Sequence, residues 1–153
     1  MSVRLGPLDP AADAVLAADL LRLQHEAYAV EAALIGDDRI PPLHEDLAGL
    51  RAVPLTWTGA RTGDRLAGAV AWLDEGGLVD VHRLVVAPSA ARRGLGSALI
   101  GSALTVAGPR PTVVATGRDN APARSLYERL GFVRGGDREV LPGLWVTAYR
   151  LDP

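Results

Sequence analysis

Three absences limit what this chain of 153 residues can do. It contains no cysteine, which excludes disulfide bonds, thiolate zinc sites and a cysteine nucleophile. All 16 basic residues are arginine, so the lysine that a Walker loop needs to bind nucleotide phosphates is missing. No apolar run approaches the ~20 residues that cross a bilayer, and no secretory leader is recognisable. We therefore expect a soluble cytoplasmic protein that does not act on a membrane.

Composition favours one compact domain over residues 1–153, because 48% of the residues are apolar and no linker or repeat divides the chain. The abundance of arginine, alanine and glycine is typical of a GC-rich bacterial genome. Charge is uneven, since residues 1–50 carry three arginines and nine acids whereas the remainder carries 13 arginines and nine acids. Two solvated surfaces explain this asymmetry as well as a basic part that binds an anion and an acidic part that binds a cation. No basic stripe interleaved with aromatics is present, which argues against a nucleic-acid partner.

The most informative segment is Leu84–Leu99, which reads LVVAPSAARRGLGSAL. A β-branched stretch ends at a proline, a turn with two arginines and two glycines follows, and an amphipathic helix begins. Gly94 and Gly96 allow backbone amides to turn outward at the helix N-terminus, where free amides and the helix dipole favour anions. Arg92 and Arg93 add positive charge. The segment therefore predicts a diphosphate-binding turn in which Cβ atoms at the two glycines would crowd the ligand.

Two common phosphate motifs do not fit this segment. The Walker loop fails because it requires lysine. The dinucleotide fingerprint requires glycine or alanine three residues after Gly96, where Leu99 stands. A nucleotide-binding module without either motif is a further alternative. It is disfavoured because the sequence has no acidic residue suitably placed to bind a metal.

A second segment follows roughly twenty residues later, where Asn120–Phe132 reads NAPARSLYERLGF. Together the two segments resemble the GNAT superfamily of N-acetyltransferases, whose members bind acetyl-CoA. The family turn Gln/Arg-x-x-Gly-x-Gly/Ala is matched over residues 91–96, except that Ala91 stands in the first place. The second family motif, Asn-x-x-Ala-x-x-Leu-Tyr-x-x-x-Gly-Phe, is matched at Asn120, Ala123, Leu126, Tyr127, Gly131 and Phe132.

The order of predicted elements agrees with that resemblance. Strands are predicted at residues 3–5, 54–60, 65–74, 78–87, 112–116, 132–140 and 144–151. Helices are predicted from an Asp9 cap with Pro10 in the first turn, around residues 43–50, from the glycine turn to Gly108, and from an Asn120 cap to Gly131. The first helix should bury a stripe formed by Leu16, Leu20, Leu23, Ala27 and Val30. The resemblance implies an α+β GNAT fold, with a mixed, mostly antiparallel seven-stranded sheet, four flanking helices, and parallel strands four and five that splay apart.

The resemblance further implies that acetyl-CoA lies along strand four and the glycine turn, with no metal. Backbone amides between Arg92 and Ser97 would hold its diphosphate. Strand four would pair with pantetheine, and one N–H, expected from Val86, would stabilise charge on the thioester oxygen. Asn120 is a further candidate contact, although its role as a helix cap explains it equally well. The predicted coenzyme-binding residues are Leu84, Val85, Val86, Arg92, Arg93, Gly94, Leu95, Gly96, Ser97, Asn120 and Ala123.

Tyr127 occupies the family's general-acid position and is expected to protonate the leaving thiolate; a core tyrosine is the alternative. The general base is less defined, because some family members carry a glutamate on strand five where Ala115 stands here. Others carry one on strand four, at the place of Asp80. His82 lies two residues further on, and so on the same strand face. Asp80 and His82 are therefore predicted to remove the proton of an ammonium group, unless they pair with Arg83 or with solvent.

By analogy with the family, residues 23–50 shape the acceptor site, with Glu26, Tyr28 and Glu31 as candidates. The sequence thus predicts an N-acetyltransferase that moves acetyl from acetyl-CoA to a primary amine of a small molecule or protein, by direct attack in a ternary complex. A homodimer is compatible with this prediction. The alternative is a degenerate GNAT domain that binds acyl-CoA as a sensor without turnover. The retained tyrosine favours the enzyme, whereas the two alanine departures leave room for the sensor.

Overall fold

A seven-stranded mixed sheet organises the computed structural model, which describes residues 2–153. The strands are β1 Val3–Leu8, β2 Thr56–Thr62, β3 Arg65–Asp74, β4 Val79–Val86, β5 Thr112–Gly117, β6 Val133–Leu141 and β7 Leu144–Leu151. The α-helices are α1 Ala14–Ile35, α2 Leu47–Ala52, α3 Leu95–Ala107 and α4 Ala121–Arg129. Two 3₁₀ turns lie at Pro41–Leu43 and Pro88–Ala90. Across the sheet the order is β1-β2-β3-β4-β5-β7-β6, which confirms the predicted α+β fold with four helices.

The first helix begins later than predicted. Asp13, rather than Asp9, caps it, because the Asp13 carboxylate accepts the Leu16 N–H at 3.0 Å. The Asp9 carboxylate instead accepts the Ala12 N–H at 3.3 Å in a turn that precedes the helix. Val30 was expected in the buried stripe but is 46% exposed, because it lines a surface groove described below.

Strand β3 is at the centre of the core. Its residues 66–72 are all buried, which requires cover on both faces of the sheet. Leu20 and Leu23 of α1 and Leu99 and Ile100 of α3 belong to the same apolar cluster. A Cβ atom at Gly68 of β3 would lie 3.0 Å from Leu99 Cδ1, so the missing side chain allows α3 to pack closely.

Strands β4 and β5 are paired only where they begin. Their parallel register runs from Val79 with Thr112 to Val81 with Val114, three residue pairs in all. Beyond this point β4 pairs with β3 alone and β5 with β7 alone. The predicted splay between the two parallel strands is confirmed, and it leaves a cleft in the sheet.

A β-bulge accompanies the point of separation. Trp72 of β3 is opposite Val81, whereas its neighbour Ala71 is opposite Arg83, so His82 is an extra residue in β4. Such an insertion bends the strand and strengthens its twist. The bulge therefore lies where β4 must turn away from β5, and it brings His82 to the cleft.

Candidate active site

A surface depression of 680 Å³, which we call the groove, is bounded by α1, by α4, by the end of β4 and by the N-terminus of α3. The N-terminus of α3 faces it. Gly94 is the N-cap with φ +78°, and no side chain caps the helix. The first intrahelical bond is donated by the Ala98 N–H to the Gly94 carbonyl at 3.1 Å. The amides of Leu95, Gly96 and Ser97, which all line the groove, therefore have no intrahelical acceptor, in agreement with the predicted anion-binding turn.

The two glycines of this turn have different roles. A Cβ atom at Gly94 would meet no atom within 4 Å. Glycine is favoured there because the backbone is left-handed. A Cβ atom at Gly96 would lie 3.0 Å from Leu126 Cδ2 and 3.9 Å from Leu84 Cδ2. The atoms that restrict residue 96 therefore belong to the protein, and Gly96 makes room for α4.

The arginines of the turn are also placed differently from each other. Arg92 lines the groove and has φ +64°, a conformation that costs a non-glycine residue on the order of 1–3 kcal/mol. Arg93 does not line it. Arg129 of α4 does, and its Nη1 donates to Ser125 Oγ at 2.9 Å. Sequence reasoning missed Arg129, although its spacing of four residues from Ser125 on one helix face was an available signal.

A smaller cavity of 220 Å³ lies in the cleft between β4 and β5; we call it the splay cavity. It shares five residues with the groove, and we call these the junction: Tyr28, Glu31, Leu84, Asn120 and Ala123. The two spaces therefore adjoin at these residues. Ligands in the groove and in the splay cavity would approach each other at the junction.

The end of β4 directs a backbone amide toward this meeting point. The Ala87 N–H donates to the Ala67 carbonyl of β3 at 2.8 Å. Because successive peptide groups of an extended strand point to opposite sides, the Val86 N–H points away from β3 and toward the cleft. The side chains of Leu84 and Val86 line the groove, whereas that of Val85 is buried in the core. Val85 lines neither space, and its N–H, like that of Ala87, points toward β3, so this predicted residue is not placed to contact a ligand.

Tyr127 of α4 is 3% exposed and lines the splay cavity. Its ring packs against those of Phe132 and Tyr149, with centroid separations of 5.6 and 5.7 Å. Burial raises the pKa of its phenol well above the usual range, and the negative charge of Glu31 raises it further. The side chain is both a core residue and a protonated group at the cavity wall, so the two alternatives for Tyr127 are compatible.

His82 and Asp80 form a pair, with 3.2 Å between His82 Nε2 and Asp80 Oδ2. The His82 side chain is 40% exposed and lines the splay cavity, whereas Asp80 lines neither space. Asp80 is thus placed to orient the imidazole rather than to touch a ligand. The alternative partner Arg83 is engaged elsewhere.

Arg83 is the centre of a network that sequence reasoning missed. Its guanidinium donates to both oxygens of Glu45, at 2.6 and 3.0 Å, and to Gln24 Oε1 at 3.0 Å. Gln24 Nε2 donates to the Pro42 carbonyl at 2.9 Å. Burial acts to raise the pKa of Glu45, but the hydrogen bonds from Arg83 and Gln24 outweigh it and the pKa is lowered. The network fastens the segment that follows α1 to β4 and holds Pro42 against the splay cavity.

Two of the three predicted acceptor residues reach the junction. Tyr28 lies there, and burial, followed by the charge of Glu31, raises the pKa of its phenol. Glu31 Oε1 accepts the Gly117 N–H at 3.3 Å and the Thr116 hydroxyl at 3.4 Å. Glu26 lines neither space; it is exposed and pairs with Arg22 at 3.0 Å. Sequence reasoning missed Thr116 and Gly117 because nothing local connects β5 to α1.

Comparisons with known proteins decide the family. A model of the acetyltransferase (GNAT) family matches residues 18–132. The chain belongs to the GNAT acetyltransferase family. UPF0157 protein YqkA of Bacillus subtilis is 30% identical over 142 residues, which are 92% of this chain and 41% of that protein. This GNAT chain therefore spans about two-fifths of the length of the curated relative it matches.

Solved structures share the fold of this GNAT domain. The ribosomal-protein-S18-alanine N-acetyltransferase from Escherichia coli has a TM-score of 0.76 at 15% identity, with 99% and 94% of the two chains covered. An N-acetyltransferase from Staphylococcus aureus Mu50 has a TM-score of 0.75 at 13% identity, with 99% of each chain covered. The PaiA N-acetyltransferase from Thermoplasma acidophilum, solved with coenzyme A, has a TM-score of 0.71 at 15% identity, with 99% and 100% covered. At these identities the likeness shows the fold.

The groove of this GNAT domain has donors suited to a diphosphate. Three free amides at the α3 N-terminus suit a diphosphate, Arg92 adds positive charge, and Leu84 and Val86 provide an apolar wall. Within residues 2–153, no helix is long and apolar enough to span a bilayer. The same residues contain no group of three or more His, Asp or Glu side chains that could hold a metal ion.

Proposed function

We propose that this GNAT protein is an N-acetyltransferase that moves acetyl from acetyl-CoA to a primary amine, by direct attack in a ternary complex. The observation that carries the proposal is the junction. A groove suited to a thioester and a cavity suited to an acceptor share five wall residues, which supports a site where both substrates are bound when the new bond forms. Holding two reactants in contact can supply several kcal/mol of the barrier.

In this proposal the coenzyme is bound mostly by backbone. The amides of Leu95, Gly96 and Ser97 take the diphosphate, with Arg92 and Gly94 completing the turn. The inward amide of Val86 polarises the thioester carbonyl, and one such donor is worth about 3 kcal/mol. Asn120 and Ala123 of the junction flank the thioester. The contribution of Arg93 is minor, because its side chain lies outside the groove.

Two groups handle protons at the junction. His82 accepts the proton of the acceptor amine, and Asp80 positions the ring through its 3.2 Å contact. Tyr127 donates a proton to the leaving thiolate. Because an ordinary thiol has a pKa of about 8.5 and the pKa of Tyr127 is raised, transfer is uphill until late in the reaction. The phenol therefore first stabilises the thiolate by a hydrogen bond.

The test measures free CoA released from acetyl-CoA with polyamines, amino acids, aminoglycosides, arylalkylamines and peptides bearing a free N-terminus. We expect amine-dependent release, together with coenzyme binding in calorimetry. Coenzyme binding without release for any amine would instead fit the acyl-CoA sensor, for which the comparisons provide no support. Cytoplasmic location, a bacterial source and a homodimer stay predictions from the sequence.

A further inference from the structure

The splay cavity contains one carboxylate that forms no ion pair within residues 2–153. Three ionisable groups line it besides its two tyrosines: Glu31, His82 and Arg83. Arg83 is neutralised by the bidentate contact with Glu45, and His82 is paired with Asp80. Glu31 forms no ion pair with any residue in the part of the chain that the structure describes. The cavity therefore favours a bound cation.

Glu31 is held in place by its surroundings. Asn120 Nδ2 donates to Thr116 Oγ1 at 3.4 Å, and the Thr116 hydroxyl donates in turn to Glu31 Oε1. The Gly117 N–H donates to the same oxygen at 3.3 Å. Both bonds to Glu31 use Oε1, and within residues 2–153 Oε2 accepts none. One carboxylate oxygen is thus anchored, and the other can accept from a ligand.

The remainder of the cavity wall is mostly apolar. Ile40, Pro42, Val114 and Val146 line it together with Tyr28 and Tyr127. Its volume of 220 Å³ equals about seven water molecules at the bulk volume of each. A ligand that matches this wall has a small apolar body and one cationic end.

We propose that the splay cavity selects small primary amines with an apolar body and a single positive charge, and that Glu31 is the residue that recognises the ammonium group. This inference rests on the proposed acetyltransferase function and names its acceptor class. A carboxylate on the acceptor gains nothing here, because Arg83 is already engaged by Glu45. Anionic amino acids are therefore poor acceptors.

The test compares two ligands of nearly equal shape on matched proteins. Calorimetry measures the binding of benzylamine and of benzyl alcohol to the protein saturated with coenzyme A, so that no turnover is needed. 4-(Aminomethyl)benzoate, a zwitterion, serves as the analogue with an added carboxylate. The proteins are the wild type, Glu31→Gln and Glu26→Gln; the last removes a carboxylate of the same helix that lies outside both spaces.

We expect the wild type and Glu26→Gln to prefer benzylamine over benzyl alcohol by about tenfold or more, as a charged hydrogen bond provides. Glu31→Gln should lose that preference while it still binds coenzyme A. 4-(Aminomethyl)benzoate should bind the wild type about tenfold more weakly than benzylamine. Glu31→Asp, with a shorter arm, should keep part of the preference and substitutes for the glutamine variant if that variant does not fold.

Three results overturn the inference while the proposed function stands. These are coenzyme binding with no affinity for benzylamine, a preference for the amine that survives in Glu31→Gln, and tighter binding of the carboxylate-bearing analogue than of benzylamine. Failure of coenzyme A to bind the wild type would instead refute the proposed function itself.

Discussion

Tyr127 illustrates how one side chain contributes to both packing and chemistry. Its ring contacts Phe132 and Tyr149 in the core, and its surface lines the splay cavity. Burial and the charge of Glu31 raise the pKa of the phenol, so the phenol is protonated at neutral pH. The protonation state of this donor therefore does not change with pH near neutrality.

Replacing Tyr127 by phenylalanine should therefore lower kcat by on the order of ten- to a thousandfold, because only the proton donor is lost. The KM for acetyl-CoA should stay close to that of the wild type, since the loss falls in the transition state. Unfolding in urea controls for packing, which phenylalanine retains. An unchanged rate of acetyl transfer in a single turnover would make Tyr127 a core residue alone.

At the scale of elements, the glycine turn and α4 depend on each other. Because a Cβ atom at residue 96 would approach Leu126 to 3.0 Å, glycine at this position lets the turn and α4 pack closely. The groove is consequently bounded by two elements that share one contact. A change in that contact moves both of its walls.

Gly96→Val should abolish measurable coenzyme binding in calorimetry, since the added methyl groups separate α3 from α4. Arg92→Ala should weaken binding by about tenfold, the contribution of a charged hydrogen bond. Arg93→Ala is the matched control and should leave the affinity within about threefold, because that side chain does not line the groove. Near-native affinity of a folded Gly96→Val protein would contradict the assignment of the turn.

The Arg83–Glu45 pair links two further elements, and its contribution should depend on pH. Glu45→Gln leaves the 11%-exposed Arg83 side chain without its counter-charge, which should cost about 2 kcal/mol at pH 7. Because the pKa of Glu45 is lowered in the folded protein, its contribution is present above the unfolded pKa of about 4.3 and is lost as pH falls through the folded value. Urea unfolding at several pH values measures this.

The difference between the wild type and Glu45→Gln should therefore shrink below about pH 4. Glu75→Gln, in an exposed turn, is the control and should change the free energy of unfolding by less than about 0.5 kcal/mol at any pH. A difference for Glu45→Gln that is constant with pH would show that packing, and not charge, accounts for it.

For the whole molecule, short sequence patterns predicted the features that depend only on neighbouring residues, such as helix ends. Asn120 caps α4, and Gly131 follows that helix with φ +95°, as its sequence pattern indicates. The predicted start of α1 was wrong because Asp9 and Asp13 both satisfy the same capping rule. Which of the two caps the helix depends on where the chain leaves β1. The bulge at His82 depends on the register between β3 and β4. The Arg83–Glu45 contact joins residues 38 positions apart, so no local pattern contains it.

The early end of the β4–β5 pairing leaves a strand inside the sheet whose peptide groups are only half satisfied. Solvent should reach them. In deuterium exchange followed by NMR, the Val86 amide should exchange rapidly in the free protein, while the Ala87 amide, bonded to Ala67 at 2.8 Å, exchanges slowly. Coenzyme A should slow Val86 selectively, and equal protection of both amides in the free protein would exclude an open strand. The ligand then takes the place of a missing neighbour strand, and binding completes the sheet.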